Sequence, residues 1–146
     1  MTRGAHDRGQ INFLKIFLFL GAVTVAYLGW IFTGPYLDYF GVRKAVKLAC
    51  NGAYVDRDEE HTRDAILRQW KELNIQDAVL NADGSIERTP TPFDEHANVD
   101  VDLRKDPPQI TVAVHYTQHI VFPYIGKERD LEWNYEHTED LAVIKW

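Results

Sequence analysis

The chain has 146 residues, 45% of them hydrophobic, with 16 Lys plus Arg against 22 Asp plus Glu and a formal net charge of −6. That length holds one small domain beside a membrane segment and is too short for two full cores. The acidic balance argues against the basic face of a nucleic-acid binder, and a single cysteine, Cys50, excludes an intrachain disulfide.

Residues 1–15 carry Arg3, Arg8 and Lys15 and read as a short tail, which the resemblance described below implies is cytoplasmic. Residues 16–37 then run without a charge for 22 positions. A helix of that length covers roughly 33 Å at 1.5 Å per residue, enough for a hydrocarbon layer of roughly 30 Å. The predicted element is a transmembrane helix. A buried core helix is usually shorter, and a cleavable signal would end sooner. The only cleavage-like triplet, Thr24-Val25-Ala26, falls in the middle of the run. Basic residues flank both ends, with Arg43, Lys44 and Lys47 following closely, so charge counting ties on orientation. Trp30, Tyr36 and Tyr39 mark one interface but do not say which. Ala22, Ala26 and Gly29 share a helical stripe, a candidate packing face for a partner helix in lipid. The competing reading is that Ala and Gly are common in any membrane helix.

Residues 38–146 hold 13 Lys plus Arg against 21 Asp plus Glu, a net of −8, and form the expected soluble domain. Gly34-Pro35 predicts a kink or short break, because proline lacks an N–H and crowds the preceding turn. Tyr36, Leu37, Phe40, Ala45, Val46, Leu48 and Ala49 then recur at helical spacing, predicting an amphipathic helix over 36–50 closed by Asn51-Gly52. A second helix is predicted over 58–73, with Asp58, Glu59 and Glu60 at its dipole-favoured start and Ile66, Leu67, Trp70 and Leu73 as its stripe. Residues 76–98 read as a loop or insertion, with a turn at Asp83-Gly84 and prolines at 90 and 92.

The last third alternates. Val99, Val101 and Leu103 form one face, Asp106-Pro107-Pro108 a turn, and Ile110, Val112, Val114, Tyr116, Gln118, Ile120 and Phe122 the next set, followed by Leu131, Trp133 and Tyr135. The expected fold class is α+β: one N-terminal transmembrane helix, then two helices packed on an antiparallel meander of about three strands.

These segments together resemble a widespread group of uncharacterised bacterial single-pass membrane proteins, classed as a domain of unknown function with a pilin-like layout. The resemblance rests on a tail ending near a glycine, the apolar helix, and the exit segment Pro35-Tyr36-Leu37-Asp38-Tyr39-Phe40-Gly41-Val42-Arg43-Lys44-Ala45. Leu73-Asn74-Ile75, the strand Ile110-Thr111-Val112-Ala113-Val114-His115-Tyr116 and a proline-containing hairpin complete it. It covers residues 11–136 apart from 76–98. It implies an anchor in the bacterial inner (cytoplasmic) membrane with the C-terminal domain periplasmic or otherwise outside the cytoplasm, and it brings no catalytic residues. Prepilin processing would fall after Gly9 and place Leu14 fifth, where pilin subunits carry an acid; Leu14 and Lys15 both depart from that pattern.

Candidate chemistry is sparse. Ser85 is the only serine and sits beside a turn glycine; Cys50 among Leu48 and Ala49 reads as a packing group. His115 and His119 share a strand face roughly 13 Å apart, too far for one metal ion. A hairpin turning at Ile125-Gly126 would set His115 opposite Glu136, Thr117 opposite Asn134 and His119 opposite Glu132, with Gln118 against Trp133 and Tyr116 against Tyr135 inside. A metal- or pH-sensing domain or enzyme on this His/acid face competes with plain cross-strand charge pairing on a solvated face, which the pattern favours. Asp100 and Asp102 lie on the same face without a calcium-loop motif. The expectation is a non-enzymatic interaction or accessory subunit of an envelope assembly, with a pseudopilin-like subunit as the alternative. Expected partners are the bilayer and other membrane or envelope proteins; no catalytic residue, metal ligand, cofactor, nucleic acid or small-molecule substrate is predicted.

Overall fold

The computed structural model describes residues 10–142, and side-chain surroundings from Phe13 onward. It is α+β, in the order α1 (Gln10–Gly52), α2 (Glu59–Leu73), β1 (Gln76–Leu80), β2 (Ile86–Pro90), α3 (Glu95–Asn98), β3 (Val99–Lys105), β4 (Pro108–Phe122) and β5 (Lys127–Asp140). The chain divides between Gly34 and Pro35 into two compact units. Residues 1–9 of the expected tail, with the prepilin junction at Gly9, lie outside the described residues.

In the first unit α1 is long and apolar enough to cross a membrane by length and composition. Phe13, Phe17, Phe19 and Val25 are 68–77% exposed. The two threonine hydroxyls of this stretch turn back onto the helix, Thr24 Oγ1 donating to Leu20 O (2.9 Å) and Thr33 Oγ1 to Gly29 O (2.5 Å), so neither is left without an acceptor. One expectation is corrected here: the helix, which begins at Gln10, runs through Pro35 without the expected short break. Proline forfeits one N–H bond, but its fixed φ is itself helical, so flanking bonds can carry the turn.

In the second unit α1 contributes Val42, Ala45, Val46, Ala49 and Cys50, spaced at three and four residues, to one core with Ile66 and Trp70 of α2, Ile75, and Val99, Ile110, Val112, Val114 and Tyr116 of the sheet. The buried face of this segment is narrower than the apolar spacing predicts. Tyr36, Leu37, Phe40 and Leu48 are each more than half exposed, because the contact with α2 and the sheet selects the arc from Val42 through Cys50. A Cβ at Gly41 would lie 2.6 Å from Cδ2 of Leu73, so a larger residue there requires the Leu73 side chain to move aside.

Helix α2 starts and stops as its residues dictate. Asp58 is the N-cap and accepts from Glu60 N at 3.2 Å, and Asn74 closes the other end in the left-handed region (φ 48°), its N–H donating to Trp70 O. The segment 76–98 is not a loop. It folds as an antiparallel hairpin, β1 on β2, with Leu80 opposite Ile86, followed by the single turn α3. Gly84 supplies the positive φ (83°) that the Asp83-Gly84 turn requires, and Pro90 sits at the end of its strand, where no further ladder bond is needed from it.

The main sheet is antiparallel in the order β3-β4-β5. Ile110, Val112, Val114, Tyr116, Gln118 and Ile120 all point to the helices, as the alternation requires. The β4–β5 register differs from expectation by two residues. The turn takes the four residues 123–126, with Ile125 N and Gly126 N both donating to Phe122 O and Gly126 at φ 63°. Tyr116 therefore faces Trp133, Gln118 faces Leu131, Thr117 faces Glu132, His115 faces Asn134 and His119 faces Asp130. A shift of two preserves every face while changing every partner.

Candidate functional site

Strand β3 leaves the sheet early. Its ladder with β4 ends at Val99 opposite Val114, so residues 115–122 of β4 have a ladder partner on one side only. The vacated edge is covered by pieces of other elements. Asp94 caps α3 by accepting from His96 N (2.8 Å) and Ala97 N (3.1 Å), which holds its carboxyl below the usual range. At the other end of that turn, Asn98 Oδ1 accepts from Asp94 N and Asn98 Nδ2 donates to His115 O at 2.9 Å. Asp77 of β1 accepts from His119 N (3.0 Å) and from the buried hydroxyl of Thr91 (2.7 Å).

Between these two covers lies an open groove of about 740 Å³ lined by Asp77, Val79, Pro92, Phe93, Asp94, Asn98, Thr117, His119 and Asp130. Its apolar floor is firm because Phe93 stacks on Trp70 with centroids 4.0 Å apart. Its wall is a three-element ion cluster. His119 Nδ1 pairs with Asp130, Nε2 lies 3.5 Å from Glu128, and the Glu128 carboxylate also accepts from Leu80 N at 2.8 Å. The bond to Asp130 first, then Glu128, raises the histidine pKa against a desolvation that lowers it. Glu128 is lowered by the Leu80 N–H and by His119.

Protonated His119 thus ties β4 and β5 together and shares Glu128 with β1. Its folded-state pKa is raised, so its contribution is complete below the unfolded value of about 6.5 and is lost as pH rises through the folded value. His119→Gln should narrow the stability gap to wild type over that rise, read by denaturant unfolding of the whole chain in micelles. His119→Ala should cost about 1 kcal/mol on the acidic side, given a charge-assisted pair that is partly exposed. A gap that stays constant across the window overturns the pairing.

The other sequence candidates are scattered. His115 is exposed opposite Asn134, over a shallow depression with Glu136, and shares no ligand with His119. Asp102 binds Arg104 at 3.0 Å. Ser85 Oγ donates to Asp83, a turn contact. Cys50 is fully buried, and burial, reinforced by Glu139, pushes its thiol up to about 12, so it stays protonated at neutral pH. Ala22, Ala26 and Gly29 all lie exposed along α1. Among the described residues no group of three or more His, Cys, Asp or Glu is placed to hold a metal ion. Asp77, Phe93, Asp94 and Asn98 are not among the residues that the sequence pattern singles out. The signal for two of them was Asp94 ahead of Glu95-His96-Ala97-Asn98, a helix start with its cap.

No family model, no curated protein and no solved structure matches this chain.

Proposed function

We propose that the chain is a single-pass membrane anchor carrying a non-enzymatic α+β domain, an interaction or accessory subunit of a bacterial envelope assembly. The carrying observation is the uncharged run at 16–37, helical and with its large apolar side chains outward, a surface that water penalises and lipid accepts. The resemblance to single-pass envelope proteins supports an N-terminus in the cytoplasm and a domain outside it. The protein should stay in the membrane fraction through high-salt and carbonate washing, which strips ionically held proteins and leaves a buried apolar helix in place. Full-length chain in the wash overturns the anchor. A reporter fused after Trp146 that works only in the cytoplasm overturns the orientation.

A pseudopilin-like subunit is the second reading. One observation favours it: the helix that carries the apolar run also supplies Val42, Val46 and Cys50 to the domain core. Sequencing the mature N-terminus separates the two, since a start at Gln10 supports the second and an intact start near Met1 removes it.

A further inference from the structure

We propose that the groove beside β4 receives an extended basic segment of a partner protein, which adds one strand-like bridge at Thr117 in the lane that β3 vacates. Odd-numbered residues of β4 turn their backbone groups toward that lane. His115 O and His119 N are both used there, by Asn98 and Asp77. Pro108 O, at an even position, instead accepts from Leu141 N, which follows β5. Thr117 stands midway between the two covered positions and faces Glu132 across the other side in a pair without mutual backbone bonds. Its N–H and C=O therefore point into the groove, where no described residue meets them. A strand edge left with a free donor and acceptor is a template for another chain.

The lining selects the chemistry of that chain. Asp77, Asp94 and Asp130 supply carboxylates against the single cation His119, and Val79, Pro92 and Phe93 supply an apolar surface. An extended segment alternates its side chains with a period of two, so one with basic and apolar residues in turn offers both what they need. A second copy of this chain is the less suitable occupant, because its soluble part is itself acidic.

This inference rests on reading the domain as an interaction module and names what it binds. Its test is independent of the anchor. Full-length chain in micelles is titrated with a capped heptapeptide of alternating Lys and Val, with its Glu-for-Lys counterpart, and with a version carrying Pro at the centre. The Lys peptide should shift the Thr117 amide resonance and bind more tightly than roughly millimolar. The Glu peptide should not bind, and the Pro peptide should bind more weakly for want of its central N–H. Asp94→Asn keeps the α3 cap while removing one charge, and should raise Kd about two- to fivefold. Equal binding of the Lys and Glu peptides, an unmoved Thr117 amide, or a Thr117 shift produced by concentrating the chain alone overturns the proposal. Each can occur with membrane retention intact.

Discussion

Trp70→Ala should lower the stability of the domain by about 3–5 kcal/mol, in the range for buried aromatic truncation. Trp70 is 7% exposed, stacks on Phe93 at 4.0 Å and meets Tyr116 edge-on at 4.9 Å. The loss combines hydrophobic transfer, a cavity between α2 and the sheet, and two aromatic pairs of about 0.5–1.5 kcal/mol each. Trp133 is the control. It lies half-buried on β5, an outer strand of the sheet, stacked on Tyr39 at 4.7 Å, so Trp133→Ala should cost about 2 kcal/mol. Denaturant unfolding of the full chain in micelles, followed by near-ultraviolet dichroism, compares them. Because Phe93 also floors the groove, Trp70→Phe, which keeps a ring against it, should cost less than Trp70→Ala. If Trp133→Ala is the more damaging change, the core is centred elsewhere.

Where one physical rule dominates, the chain reads plainly. The extent of α2 follows from its acidic start at Asp58-Glu59-Glu60 and its apolar stripe, and the inward face of β4 follows from strict alternation across Ile110–Ile120. Register was harder, because alternation is blind to a shift of two and the decision rests on how many residues the 123–126 turn absorbs. Pro90 and Pro92 mask the β1–β2 hairpin in the sequence, because prolines signal a break, although Pro90 only ends a strand. Leu37, Phe40 and Leu48 show the other limit. Apolar spacing identifies an amphipathic helix, but tertiary contact decides which arc is covered.

The candidate site was less legible still, for a reason of distance. His119 was singled out, yet the partners that give it a role come from β5 and, through Glu128 and Leu80, from β1. The groove combines residues 77 and 79, 92–94 and 98, 117 and 119, and 130, brought together only because β3 stops at Val99 while β4 continues. No local pattern encodes the end of a neighbouring strand. Its accessible trace was the cap at Asp94, a helix signal rather than a binding signal.

Adjacent positions on the central strand should respond oppositely. Val112 is 0% exposed, between Val101 and His137, so Val112→Asp would put a carboxylate into the core among Ile110 and Val114, where the imidazole opposite, His137, is already held by Glu139. The expected cost exceeds about 4 kcal/mol, close to the whole stability of many small domains, and the variant should be largely unfolded. Ala113 points the other way, with Asp100 opposite on β3 and Glu136 opposite on β5. Ala113→Lys therefore enters a pair of like charges as their counterion, and should stabilise by about 0.2–1 kcal/mol, less in high salt. Amide exchange of the β4 backbone measures both: protection should collapse in the first variant and hold or increase in the second. If Val112→Asp remains protected, or Ala113→Lys loses protection, the inward face of β4 is wrongly assigned. The groove would then have to be redrawn with it, since Thr117 takes its outward side chain from the same alternation that buries Val112.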